Sequence, residues 1–333
     1  KVTGYFAMRT FTIEPDKKGL PRFCLNHEPL FLNGVLDQGY WPDGLYTAPS
    51  DEALIYDIQT MKNLGFNMIR KHVKVETARW YYHCDRLGMI VWQDMVNGGS
   101  AYKHWFVTYL ATLMNWNHIS FSDDEKHAGL LSRLHPEGKD EFRREITETI
   151  AFLYNHPSIV VWVPFNEGWG QFDALAVCEQ IRTLDSSRLV DHASGWFDQK
   201  GGDILSLHYY FLKLKFKPES KRAAALTEFG GYSLSIPGHS CCKKVYGYKK
   251  FNSTGTLTYG YIDLIRQTIL PAVKKGIGAT VYTQLSDIEE ETNGIYTYDR
   301  EICKIDPDTL RKWNRALKEA GECKTYADHT TDH

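Results

Sequence analysis

Long hydrophobic runs are missing. No stretch of the 333 residues approaches the ~18–20 consecutive apolar residues that a membrane-spanning helix needs, so a membrane is not expected as a partner. Charge of one sign is missing too: 39 Lys+Arg stand against 41 Asp+Glu, for a formal charge of -2. Nucleic acid is therefore not expected either, because it recruits proteins through a basic excess. Cysteine is sparse and unpatterned. There are 7, an odd number, and no CxxC spacing occurs, which argues against a disulfide framework and against a zinc site. Scattered thiols of this kind fit a reducing compartment, so a cytoplasmic location is slightly favoured while the true one stays open. The first residues carry neither an initiator Met nor the charged-then-apolar pattern of a signal peptide. They read as the edge of a mature or excised piece.

What is present is the composition of a globular chain, 43% hydrophobic and 24% charged. Aromatic residues reach 14%, with 9 Trp and 20 Tyr. A surplus of that kind suggests a surface that stacks against something ring-shaped.

Residues 1–29 differ from the rest. A partly alternating segment, the turn Pro15-Asp16-Lys17-Lys18-Gly19 and a second short strand resemble the closing strands of a β-domain. From residue 30 onward short apolar runs alternate with helical patterns, as βα units around a parallel sheet do. The strand-like runs are 30–37, 67–73, 89–94, 159–167, 189–194, 204–210, 224–228 and 279–287. Helices are predicted over 51–64, 76–87, 140–155, 172–184, 262–275 and 307–320. Ser50 or Asp51 caps the first and Gly65 ends it; Asp306 caps the last, with Pro307 at its first position. Eight strands over about 290 residues match an α/β fold of the (β/α)8 TIM barrel type. A doubly wound open sheet is the alternative, weakened because no glycine-rich phosphate loop follows the first strand. Two long inserts, 96–138 and 230–259, each follow a strand and so belong on the rim where barrel active sites lie.

Only the C-terminal ends of barrel strands point polar side chains at such a site. The runs end in Asp37, Arg70 and His72, Asp94, Asn166 and Glu167, Asp191 and His192, His208 to Tyr210, Glu228, and Gln284 and Asp287. Glu167 and Glu228 close two strongly apolar strands, the fourth and the seventh. A carboxyl pair across a barrel mouth suits glycoside hydrolysis, in which one protonates the leaving oxygen and the other attacks the anomeric carbon or activates water. Glu167, between Phe165 and Trp169, fits the acid, whose pKa apolar neighbours raise. Glu228 needs a cation nearby, and Arg70 is the candidate. Asp37 and Asp94 are candidates for sugar hydroxyls, His72 and His208 for orienting hydroxyls or the nucleophile, and Trp196 for stacking on a sugar face. No metal-spaced cluster stands out, so neither a metal nor a cofactor is expected. The charged segment Asp287-Ile288-Glu289-Glu290-Glu291 reads as a solvated loop.

Six segments carry a resemblance. They are Phe31-Leu32-Asn33-Gly34-Val35, Leu64-Gly65-Phe66-Asn67-Met68-Ile69-Arg70, Cys84-Asp85-Arg86-Leu87-Gly88-Met89-Ile90-Val91-Trp92, Asn155-His156-Pro157-Ser158-Ile159-Val160-Val161-Trp162, Asn166-Glu167 and Thr227-Glu228-Phe229-Gly230. In this order the chain resembles the catalytic barrel of glycoside hydrolase family 2, the family of β-galactosidases, β-glucuronidases and β-mannosidases. The resemblance implies an immunoglobulin-like β-sandwich before the barrel, of which 1–29 are the last strands and 30–333 the barrel, with further N-terminal β-domains missing and oligomerisation open. It implies retention through a covalent glycosyl-enzyme. Glu167 matches the acid/base and Glu228 the nucleophile; Asn166 matches the residue holding the sugar 2-hydroxyl, and Arg70 an arginine beside the nucleophile. Tyr209 or Tyr210 matches a tyrosine that hydrogen-bonds the nucleophile, and Tyr282 stands where the family places a tryptophan under the sugar.

The departures touch the sugar rather than the reaction. The stretch after the first strand is Val35-Leu36-Asp37-Gln38-Gly39-Tyr40-Trp41, not Asn-Arg-His-Glu, and Arg70-Lys71-His72-Val73-Lys74-Val75 replaces Arg-x-Ser-His-Tyr-Pro. The Glu and His that hold magnesium in some galactosidases do not follow Gln93-Asp94-Met95, and the Asn-x-Lys pair of glucuronidases is absent. The expectation is a retaining exo-β-glycosidase, β-galactosidase-like, acting on a carbohydrate. β-Glucuronidase or β-mannosidase specificity is the alternative. From other classes come a carbohydrate-binding barrel impaired in catalysis and a barrel enzyme using Glu as a proton-transfer base.

Overall fold

The computed structural model describes residues 4–117, 119–210 and 214–322. Three short strands come first: β1 (Phe11–Pro15), β2 (Pro21–Leu25) and β3 (Glu28–Pro29), antiparallel in the order β1-β2-β3. Eight parallel strands follow: β4 (Leu32–Asp37), β5 (Met68–Lys71), β6 (Ile90–Asp94), β7 (Ile159–Val163), β8 (Leu189–Val190), β9 (Ile204–Tyr209), β10 (Ala223–Gly230) and, after two minor strands, β13 (Ile277–Thr283). Their spatial order, β8-β7-β6-β5-β4-β13-β10-β9, wraps the first barrel strand against the last. This is the (β/α)8 barrel expected from the rhythm of the sequence. The seam between β8 and β9 has no ladder. Asp203 splints it: its N–H donates to the Val190 carbonyl at 2.9 Å, and its Oδ2 accepts from the Val190 N–H at 2.7 Å.

The helices follow from local chemistry. In α1 (Asp51–Asn63), Leu54, Ile58 and Met61 fall on one face and are buried, the i, i+4, i+7 spacing of an amphipathic helix. Ser50 caps it by accepting from the Ala53 N–H. The helix α2 (Ala78–Leu87) buries Trp80, Tyr81 and Cys84. The first insert contributes a wide-turn segment, Trp105–Leu110, running into α3 (Ala111–Trp116), an element the sequence pattern does not announce. Then come α4 (Pro136–Leu153) and α5 (Ala174–Leu184). The α5 N-terminus is capped from a distance, since Asp123 Oδ2 accepts from the Ala174 N–H at 3.0 Å. The second insert holds the minor parallel strands β11 (Tyr232–Ser233) and β12 (Lys249–Lys250) and the start of α6 (Thr254–Leu264). A capping box of Ser253 and Thr256 begins α6 well before the predicted residue 262. A short π segment joins it to α7 (Leu270–Lys274), and α8 (Pro307–Gly321) is capped by Asp306 as expected.

Apolar side chains fill the barrel interior. Leu32, Met68, Trp92, Val161, Ala225 and Val281 form one buried cluster together with Phe11 and Phe23 from β1 and β2. The small sheet thus closes the N-terminal end of the barrel: the Phe23 ring lies 5.9 Å from that of Trp92. With the floor sealed by apolar area, the polar residues concentrate at the opposite, C-terminal mouth.

Candidate active site

Arg70, on β5, organises that mouth. The side chain is fully buried, and its fork, Nε and Nη2, donates to Oδ1 and Oδ2 of Asp94, each at 3.0 Å. Nη2 also donates to Asn166 Oδ1 at 2.9 Å. Nη1 donates to Glu228 Oε1 at 3.2 Å and to the Thr227 carbonyl at 3.1 Å. A buried guanidinium costs desolvation unless its donors are met; here carboxylates on β6 and β10 meet them, so one cation sets both. His72 Nδ1 lies 3.0 Å from Asp94 Oδ2. Burial works against the charged imidazole, but the hydrogen bond and charge of Asp94 outweigh it and raise its pKa. Asp94 is correspondingly held low: burial would raise it, and Arg70 and His72 prevail.

Glu228 sits within β10 and is nearly buried. Its Oε2 accepts a short hydrogen bond from the Tyr210 hydroxyl. The Tyr210 ring is held flat against Tyr248, with centroids 3.9 Å apart and 14° between planes. Glu167 lies four residues beyond the end of β7 rather than on it. Its backbone is left-handed, φ 52°, unusual for a residue with a Cβ. The Glu167 N–H donates to the Ser194 carbonyl at 2.9 Å, which fixes the turn. The next residue must be glycine, because a Cβ on Gly168 would come within 2.2 Å of the Phe197 ring. Glu167 Oε1 lies 2.8 Å from His208 Nδ1. Burial pushes the Glu167 carboxyl up to about 7, against the pull of the His72 and Arg70 cations. Donor atoms of Glu167, His208 and Glu228 all lie within 4.8 Å of one another.

That triad has the geometry to hold a metal, and so does an outlying one, His239, Asp299 and Glu301. At the mouth, Arg70 already supplies the positive charge to Glu228, so the donor set does not call for a cation. Beside Glu167 opens a cleft of about 550 Å³. Trp196, His208, Tyr209 and Tyr210 line one side; Tyr102, Tyr109 and Trp116 of the first insert and Tyr246 and Tyr248 of the second line the rest. A smaller hollow of about 230 Å³ is shared by Gln38, His72, Asn166 and Trp169.

Most of the expected site residues converge here: Arg70, His72, Asn166, Glu167, Trp196, His208, Tyr210 and Glu228. The structure resolves the tyrosine alternative, since Tyr210 bonds Glu228 while Tyr209 lines the cleft and packs on the core. Five expectations change. Asp37 does not face the cleft; its carboxylate accepts from Lys71 Nζ at 2.5 Å and from the Gly39 N–H at 2.7 Å. Tyr282 is not an aromatic floor, being 1% exposed and packed between Phe229 and Tyr261. Asp94, 1% exposed, is engaged by Arg70 and His72 and positions these cations rather than facing the cleft. Phe165 also turns away from Glu167, onto Phe142 and Phe172. Residues 287–291 are not a solvated loop: Asp287 is buried against Lys304, and Glu291 lines the cleft. Tyr248, Tyr102 and Glu291 lie in the inserts or this loop, where no strand-end rule flags them.

Comparison with known proteins identifies the family of the barrel. The family described as glycosyl hydrolases family 2, TIM barrel domain, matches residues 18–269. A β-galactosidase of Leuconostoc mesenteroides subsp. mesenteroides is 25% identical over 354 aligned positions, covering 98% of this chain but 30% of that protein. A β-galactosidase of Lactococcus lactis subsp. lactis is 28% identical over 195, covering 59% of this chain and 16% of its own length. The chain therefore spans less than a third of the curated relatives it matches. Among solved structures, a β-galacturonidase of Eisenbergiella tayi bound to galacturonate superposes with a TM-score of 0.67 at 18% identity, over 93% of this chain and 55% of that one. A Ruminococcus gnavus β-glucuronidase gives 0.68 at 15% identity, over 93% and 54%; both share the fold. With the family's barrel matched across most of its length and the carboxyl pair in place at the mouth, this chain belongs to glycoside hydrolase family 2, as its TIM barrel domain.

Proposed function

We propose that this barrel is the catalytic domain of a retaining exo-β-glycosidase, β-galactosidase-like in its sugar. The observation that carries the reading is the approach of Glu167 and Glu228, one carboxylate oxygen of each lying within 4.8 Å of the other. Retaining enzymes hold the two carboxyl groups about 5–5.5 Å apart, and inverting enzymes ~6.5–9.5 Å, to admit a water between.

The roles follow from the surroundings. Glu228, oriented by hydrogen bonds from Arg70 and Tyr210, attacks the anomeric carbon as the glycosidic C–O bond breaks. Glu167, with its proton held at neutral pH by burial, gives that proton to the departing oxygen. Glu167, now ionised, takes a proton from water, whose oxygen attacks the anomeric carbon and frees Glu228. Two displacements at one carbon restore the starting configuration. Asn166, oriented by Arg70, is placed to hold the 2-hydroxyl, a contact that tightens as positive charge develops on the ring. The names of the sequence relatives support a galactoside.

The test is a panel of 4-nitrophenyl β-glycosides with two variants. Glu228→Gln abolishes turnover. Glu167→Ala spares the activated nitrophenyl glycosides relative to unactivated ones. A 2-fluoro-glycoside traps an adduct on Glu228, seen by peptide mass spectrometry. Near wild-type activity in Glu228→Gln defeats the proposal, and sugar binding without turnover by the wild type favours a binding barrel instead.

A further inference from the structure

The loop after β13 places a third carboxylate beside the catalytic pair. Glu291 lines the cleft with Glu167. Its Oε2 is gripped by two amides: Gln284 Nε2 donates at 3.0 Å and Gln38 Nε2 at 3.1 Å. Those amides are themselves oriented. Gln284 Nε2 also donates to Asn293 Oδ1 at 2.7 Å, and its Oε1 accepts from Gln38 at 3.0 Å. Gln38 in turn lines the small hollow with His72 and Asn166. Glu291 thus stands on the wall between β4 and β13, at the border of both hollows, and among the described residues its Oε1 makes no hydrogen bond. An oriented carboxylate with one oxygen engaged and the other free is an acceptor set out for hydroxyl donors.

Its electrostatic company points the same way. The cations behind it are committed: Arg70 to Asp94 and Glu228, His72 to Asp94, and Lys71 to Asp37 and Glu76. Lys215 also reaches the cleft, on the outer wall over the Trp116 ring, 3.7 Å from its centroid. An anionic sugar at the mouth would therefore meet Glu291 and Glu228 together, while the described cations beside them, Arg70 and His72, are already paired with carboxylates. Like charges brought together in a partly desolvated site are strongly disfavoured, which is how sites reject a wrong partner.

We propose that Glu291 is a specificity-determining residue: its carboxylate accepts hydrogen bonds from the hydroxyls of a neutral sugar and repels the carboxylate of a uronic acid. The inference deepens the glycosidase reading but does not need turnover to be tested.

The experiment is calorimetric binding of methyl β-galactoside and methyl β-galacturonide to the full chain, wild type against Glu291→Gln and Glu291→Asp. The wild type favours the neutral sugar. Glu291→Gln narrows that preference by about tenfold, through both weaker galactoside and tighter galacturonide binding, because the amide keeps the shape and loses the charge. Glu291→Asp keeps the preference with weaker binding overall. Equal or tighter binding of galacturonide by the wild type, or a preference unchanged in Glu291→Gln, overturns the inference. Release of nitrophenol from matching nitrophenyl glycosides is read in parallel. Its failure counts against the glycosidase proposal and leaves the binding preference as the measure of Glu291.

Discussion

His208 Nδ1 lies 2.8 Å from Oε1 of Glu167, while its Nε2 lies 3.2 Å from the hydroxyl of Ser194. Burial pushes the imidazole down to about 4, with Arg70 and His72 adding to the effect. The ring is therefore neutral at pH 7, whereas the Glu167 carboxyl is pushed up to about 7. A neutral ring that donates from Nε2 to Ser194 accepts at Nδ1 from the protonated Glu167, so the pair holds the proton that the proposed acid role of Glu167 needs.

It follows that kcat/KM on a natural-type, unactivated glycoside falls as pH rises through about 7, because the deprotonated acid cannot donate. His208→Ala removes both an acceptor for the protonated carboxyl and part of its burial. Both effects lower the Glu167 pKa, so the falling limb moves to lower pH. A pH–rate profile of both proteins checks this; an unmoved limb contradicts it.

The same shift has a consequence for stability. The folded carboxyl of Glu167 titrates at about 7 against an ordinary value of 4.5. Between those values the native state binds more proton than the unfolded state, so stability is lost as pH rises across that window. Glu167→Gln escapes this loss. Its melting temperature relative to wild type should climb from pH 4.5 to pH 7 and then level off, as measured by thermal melts across pH.

Removing Arg70 leaves Asp94 and Glu228 buried without their shared cation. Arg70→Met should cost about 3–5 kcal/mol of stability, the usual effect of breaking a buried charge pair from one side, and abolish turnover. Arg70→Lys keeps the charge but cannot form the fork to Asp94, so it should fold better yet remain strongly impaired. Denaturant titration with activity assays separates the two effects.

The Tyr210 hydroxyl bonds Glu228 and also lies 3.2 Å from the Thr283 hydroxyl, while its ring rests on Tyr248. Tyr210→Phe preserves the stack. Loss of one hydrogen bond to a charged group corresponds to about 10- to 100-fold in kcat, with the melting temperature nearly unchanged. A kcat within twofold of wild type would show that the hydroxyl does not orient the nucleophile.

Lys304 ties the loop carrying Glu291 to the second insert. Its Nζ donates to Asp287 Oδ1 at 2.5 Å, to the Thr292 carbonyl at 2.8 Å and to the Leu234 carbonyl at 2.9 Å, all buried. Lys304→Met should destabilise the protein by about 3–5 kcal/mol because the buried Asp287 loses its cation. Adding Asp287→Asn should recover part of that loss, a coupling a double-mutant cycle measures.

What the sequence determined by itself was the frame and the place of a candidate carboxyl pair. Apolar strands that each end in a polar residue, separated by capped amphipathic helices, allow few arrangements besides a barrel. Glu167 and Glu228, closing two such apolar runs in the sequence, single out a carboxyl pair. Such signals are local: a strand's burial and a helix's cap are written within a few residues. Tertiary structure decided what each strand-end residue does. Asp37 and Asp94 occupy equivalent strand ends, and only the positions of Lys71 and Arg70 show that both are spent on cations. Tyr210 rather than Tyr209 reaches Glu228 because the chain leaves β9 at that point and Tyr248, from a distant insert, braces the ring. Glu291 sits in a run of acidic residues that reads as solvated, and becomes part of the cleft because Gln38 and Gln284, from opposite ends of the chain, converge on it. Contacts between residues far apart in sequence leave no periodicity, so charge partners and cleft walls were legible only once the barrel had closed.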